Sequence, residues 1–165
     1  MKRNIITLLI TVFAMLQATA QTYDNLWKQA DIIAQKDQPK SEIGVMKKII
    51  SKATAAKDYG QLLAAEIRQA ILWREISPDS LTPNVKRMET EALKAKDPVL
   101  KAVRYAVLGK VYREVNGKKS EEFFKKALEQ PELLARNASA GYVPLTLKGV
   151  DGSSFNNDLL HLIGF

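Results

Sequence analysis

Histidine occurs once in this chain, as His161, and an aspartate precedes it by three residues, Asp158. On a helix that spacing puts both side chains on one face, where a carboxylate could orient the imidazole as a general base. Catalysis would also need a nucleophile or acid within hydrogen-bond reach, and one i,i+3 pair supplies neither. With a single histidine there is no His–His metal pair. With no cysteine, thiolate metal sites, cysteine nucleophiles and disulfides are all absent. Glu66, Glu75, Glu89, Glu91, Glu121 and Glu122 fall where a helical reading expects solvent, and no two make a convincing acid–base pair. The chain is therefore read as non-enzymatic, with no catalytic, cofactor-binding or metal-binding residue.

Binding chemistry leaves weaker traces. The chain carries a formal charge of +7, and Lys47, Lys48, Lys52 and Lys57, or Lys118, Lys119, Lys125 and Lys126, could form a nucleic-acid footprint. Acidic residues are interspersed among them, so they are read as solvated helix faces, with no nucleic-acid partner. Trp27, Trp73, Tyr105, Tyr112, Phe123 and Phe124 could line a peptide groove, but their helical spacing favours core packing. Asn137-Ala138-Ser139 has the form of a glycosylation sequon. Asp79-Ser80-Leu81 resembles the Asp-Ser-hydrophobic site at which some Bacteroidetes attach O-glycans to exported proteins.

The elements that must position these residues begin after a leader. Lys2 and Arg3 precede an uncharged apolar run over residues 5–16, followed by Ala18-Thr19-Ala20, the layout of a secretory signal peptide. The run is shorter than the ~20 apolar residues of a membrane span, and no second such run follows. Cleavage between Ala20 and Gln21 is expected, which leaves one domain-sized chain, 46% hydrophobic and 26% charged over the full sequence, with no stable span.

From Thr22 onward the periodicity is helical. Asp24 is expected to cap a first helix with Leu26, Trp27, Ala30, Ile33 and Ala34 on one face. Pro39 suits the first turn of a second, with Ile43, Met46, Ile49, Ile50 and Ala53 aligned. A third follows Asp58-Tyr59-Gly60 and is apolar on more than one stripe, which implies cover on two sides. Residues 77–83 read as a turn-rich connector, with a fourth helix from Pro83 to about Ala95. A fifth runs over residues 98–115 and is ended by Asn116-Gly117, and a sixth starts at Ser120 and stops before Pro131. The one strand candidate is the short, proline-interrupted stretch 143–147. Six helices with short connectors predict an all-α chain of antiparallel hairpins, pairing first with second, third with fourth and fifth with sixth.

The last pair is the most specific. Tyr105-x-x-Leu108-Gly109-x-x-Tyr112, then Ser120-x-x-x-Phe124-x-x-Ala127-x-x-x-Pro131, resembles the tetratricopeptide pattern. Gly109 and Ala127 would let two backbones approach while Tyr105, Tyr112 and Phe124 fill the space beside them. Two intervals are one residue shorter than the usual unit, and the earlier pairs keep only the periodicity. The expected architecture is a stacked, tetratricopeptide-like array over residues 21–137. After it comes an irregular tail, 138–165, a linker and the start of a further segment.

A wider resemblance covers nearly the whole chain. The leader, Gln21-Thr-Tyr-Asp-Asn-Leu-Trp-Lys28, Glu75-Ile-Ser-Pro-Asp-Ser-Leu81, Lys94-Ala-Lys-Asp-Pro-Val-Leu-Lys-Ala102, Ala127-Leu-Glu-Gln-Pro-Glu-Leu-Leu-Ala135 and Phe155-Asn-Asn-Asp-Leu-Leu-His-Leu-Ile-Gly164 come in that order. This series resembles the amino-terminal region of large exported alpha-2-macroglobulin family proteins of Bacteroidetes-type bacteria. The resemblance implies a helical leader ahead of β-sandwich domains, in the periplasm or cell envelope of a Gram-negative bacterium. It also implies proteases as partners, engaged through domains that these residues do not include. No bait region or thioester cysteine is present, so no inhibitory residue is carried over. The apolar cluster at 159–165 is expected to continue into such domains or to dock back on the bundle. The expected role is an exported interaction or presentation module with a protein or peptide partner. The alternatives are a free-standing periplasmic peptide binder and a structural spacer.

Overall fold

A computed structural model describes residues 22–113, 116–145 and 158–163. The signal segment, with Ala20 and Gln21, lies outside these residues, as do the Ser80 side chain and most of 146–165. The order is α1 (Tyr23–Ala34), α2 (Pro39–Ala56), α3 (Tyr59–Ile76), α4 (Pro78–Lys94), α5 (Pro98–Tyr112), α6 (Gly117–Ala127), α7 (Pro131–Ala135), a 3-10 turn (Ala140–Leu145) and α8 (Leu159–Ile163). Among the described residues there is no strand. The stretch that began as a strand candidate at Val143 is the end of the 3-10 turn as far as Leu145.

Local chemistry sets the boundaries, and three differ from the sequence reading. The Thr22 hydroxyl, not Asp24, caps α1 by accepting from the Asn25 N–H at 3.3 Å. The connector at 77–83 is helical: Pro78 occupies the first turn of α4, where its missing N–H costs nothing, and the helix runs on through Pro83. Asn116 closes α5, its N–H bonding to the Tyr112 carbonyl at 2.8 Å, and also begins α6, because its Oδ1 accepts from the Lys119 N–H at 3.1 Å, which places the expected start, Ser120, inside the helix.

Between α2 and α3 one residue pair does two jobs. Lys57 takes a left-handed conformation, φ 55°, and its N–H and that of Asp58 bond to the carbonyls of Thr54 and Ala53, the Schellman pattern usually built around glycine. Asp58 then caps α3 by accepting from the Gln61 N–H at 3.2 Å.

From α1 to α6 each helix packs on its sequence neighbours in hairpin fashion, most extensively α2 on α3 and α5 on α6, and α7 packs on α8. The expected double coverage of α3 is real. Residues two apart on a helix lie about 200° apart around its axis. Ala65 and Leu72 accordingly join one core, with Leu26, Ile43, Met46 and Ile49 of α1 and α2. Leu63 and Ala70 face a second core with Val85, Met88, Val103, Leu108 and Phe123 of α4 to α6. Leu134 of α7 and Leu159 and Ile163 of α8 also belong to that second core.

Polar ties from α3 fix the layers. Its Glu66 was expected in solvent and is instead 3% exposed. Its two carboxylate oxygens accept from Arg87 of α4 at 3.2 Å and from Arg104 of α5 at 3.1 Å, while Arg87 also donates to Gln69 at 3.4 Å. Arg68 of α3 donates to the buried Glu42 of α2 at 2.7 Å, and Gln61 accepts from the Trp27 indole of α1 at 2.7 Å. A carboxylate excluded from water is tolerated only when it is paired and hydrogen-bonded. Glu66→Ala, which strands the buried Arg104, is expected to lower unfolding free energy by about 3–5 kcal/mol. Glu66→Met combined with Arg104→Met is expected to recover most of that loss. Denaturant melts of both variants check it.

Candidate functional site

The α5–α6 hairpin is where the sequence placed its repeat motif, and the structure brings those residues together. Gly109 lies against the Phe124 ring, and a Cβ built on it would come 2.9 Å from the ring carbons. Ser120 is buried and donates its hydroxyl to the Gly109 carbonyl at 2.7 Å, so the small residue serves as a polar tie as well as a spacer. Leu108 and Ala127 are buried, and Pro131 opens α7 at its first position.

The ring stack uses Phe123 rather than Phe124. Tyr112 lies nearly parallel to Phe123 at 5.6 Å between centroids, and Tyr105 stacks on it at 6.0 Å. The Tyr112 hydroxyl donates to Glu89 of α4 at 2.7 Å, and Lys119 donates to both Glu89 and the Tyr112 oxygen. Burial, and then the hydrogen bond to Glu89, push the Tyr112 phenol above its ordinary value; Lys119 works the other way. These aromatics are packing residues.

Asp158 and His161 do meet: Nδ1 of the imidazole lies 2.8 Å from one carboxylate oxygen. The same carboxylate accepts from the His161 N–H at 2.9 Å, so it caps the start of α8. That backbone bond, followed by the side-chain one, holds the Asp158 carboxyl below its usual range. The pair is a helix cap with an imidazole laid over it. Among the described residues no group of three or more His, Asp or Glu is placed to hold a metal ion. No helix there is long and apolar enough to cross a membrane.

Sequence reasoning did not single out a groove between α3 and α5, closed at one end by the start of α4. It is a cavity of about 200 Å³ with an apolar floor of Ile67, Ile71, Leu81 and Val111. Ile71 is 37% exposed although it sits within an otherwise apolar stretch of α3. The groove arises from three helices, so only the excess of apolar residues on α3 could have hinted at it.

Two outcomes test the hairpin. Gly109→Val is expected to separate α5 and α6 and cost about 1–3 kcal/mol, and to cost less in a Phe124→Ala background, read from thermal midpoints. Because the folded Tyr112 pKa lies above its unfolded value near 10, the stability it contributes is present below about pH 10 and lost as pH rises through the folded value. Tyr112→Phe should make the alkaline fall of the thermal midpoint shallower. Comparison of the chain with protein-family models, with curated proteins and with solved structures finds no match, so its function has to be argued from this geometry.

Proposed function

We propose that the chain is a non-catalytic exported interaction module, the helical amino-terminal part of an alpha-2-macroglobulin-type protease-trapping protein. Its work is to present a protein-binding surface ahead of the domains that would engage proteases. The observation that carries the interaction role is the apolar groove between α3 and α5, on an array whose aromatics and buried charges are already engaged in packing. Grooves of this kind, bounded by rigid helices, suit recognition of a partner's side chains. The ordered series of segments from Gln21 to Gly164 supports the alpha-2-macroglobulin assignment, and the basic, apolar, small-residue order of the leader supports export.

Two measurements test this reading. Expressed with its leader in a Gram-negative host, the chain should be recovered from the periplasm with Gln21 as its first residue. Cytosolic product that still begins at Met1 overturns export. In the source genome the reading frame should continue past Phe165 into β-sandwich domains, and a stop codon there overturns the leader reading in favour of a free-standing binder.

A further inference from the structure

The groove between α3 and α5 has a rim of one sign. Arg74 of α3, Lys110 of α5 and Arg113, just past the end of α5, line it, and no acidic residue does. Arg68, Arg87 and Arg104 each meet a carboxylate elsewhere in the fold. Among the described residues no ion pair holds Arg74, Lys110 or Arg113. Arg113 instead lies over the Phe124 ring, 5.6 Å from its centroid, which holds the guanidinium beside the groove. Lys110 and Arg113 are three residues apart and repel each other. Burial, and then Arg113, lower the Lys110 pKa. An anion at this rim would relieve that repulsion, and the apolar floor beneath it calls for a hydrophobic group on the same ligand.

Size narrows the ligand. Clefts that enclose small molecules run to roughly 300–1,000 Å³, and this one is about 200 Å³, room for one or two side chains. From Ile67 to Arg74 is seven residues of helix, about 10 Å, which an extended peptide covers in about three residues.

Resting on the interaction-module reading, we propose that this groove docks an internal acidic peptide segment of a partner protein. The segment seats an aliphatic or aromatic side chain on Ile67, Ile71 and Val111. It places a carboxylate two residues further along, on the same face of the extended segment, against Arg74, Lys110 and Arg113. Charge complementarity at the rim and the small apolar floor select this partner, and alternate residues of the segment reach the floor and the rim.

Fluorescence anisotropy with the purified full chain tests the proposal, using a labelled Gly/Ser peptide that carries Leu-x-Glu-x-Glu. Saturable, salt-sensitive binding is expected, weakened about tenfold or more when both Glu are replaced by Gln or when Leu is replaced by Ser. Arg74→Gln with Lys110→Gln should weaken it about tenfold or more while the protein keeps its helical circular dichroism and a cooperative thermal transition, and Ile71→Arg should abolish it by filling the floor. Equal binding of the Glu and Gln peptides overturns the proposal. So does binding that survives all three substitutions, or the absence of saturable binding. Binding to phosphatidylglycerol vesicles in place of the peptide overturns it in favour of an anionic lipid surface. None of these failures alters where the chain is found or whether its frame continues, so a wrong groove and a wrong module reading give different results.

Discussion

Glu66 sits in the interior with its carboxylate divided between two arginines from two different helices. Withdrawing that charge from water costs several kcal/mol, and the cost is offset only if Arg87 and Arg104 both arrive in register. A slip of α4 or α5 along α3 would leave a charge buried and alone, whereas a slip of purely apolar surfaces would only exchange one methyl contact for another. The neighbouring polar residues of α3 extend the same logic, since Gln61 reaches α1, Arg68 reaches α2 and Gln69 meets Arg87. One helix thereby indexes four others. The two apolar cores on its opposite faces supply the stabilising free energy, and the polar ties select the arrangement.

The rest of the architecture follows from that central helix. Hairpins that cannot bury their faces alone stack on either side of α3, and the last of them closes by glycine, serine and stacked rings. Tyr112 and Phe123 are taken up in the ring stack of the α5–α6 hairpin. What is left at the surface between α3 and α5 is an apolar hollow with a basic edge, because the last turns of both helices carry Arg74 and Lys110 there and Ile71 stays partly exposed. Basic residues in the last turn of a helix also complement its dipole, so the same side chains that suit the helix ends create the charged rim.

Much of the helix layout was legible in the sequence. Pro39 and Pro98 stand at helix starts as proline should, whereas Pro131, expected only to stop the sixth helix, also opens α7, and the two apolar stripes of α3 foretold its double coverage. Residues 77–83 look like a turn because they hold two prolines and three hydroxyl residues, yet Pro78 in the first turn of α4 costs no hydrogen bond and Pro83, five residues on, removes only one. The start of α6 was placed late because Ser120 resembles a cap, whereas Asn116 does the capping and Ser120 bonds across to Gly109. Glu42 and Arg104 carried a signal that passed unread. Glu42 precedes Met46, Ile49 and Ala53 at spacings of four, three and four, and Arg104 lies four residues from both Leu100 and Leu108. A charge in an apolar stripe is a buried pair waiting for its partner.

The sequence by itself determined the all-α class, most helix boundaries and which faces are apolar, because these depend on capping side chains and on a 3.6-residue period that act within a few residues. Only the tertiary structure decided that Glu66 is shared by Arg87 and Arg104, that Phe123 rather than Phe124 carries the ring stack, and that α3 and α5 leave a basic-edged groove between them. Each of these joins residues from different helices, and local periodicity carries no information about which helix a given face will meet.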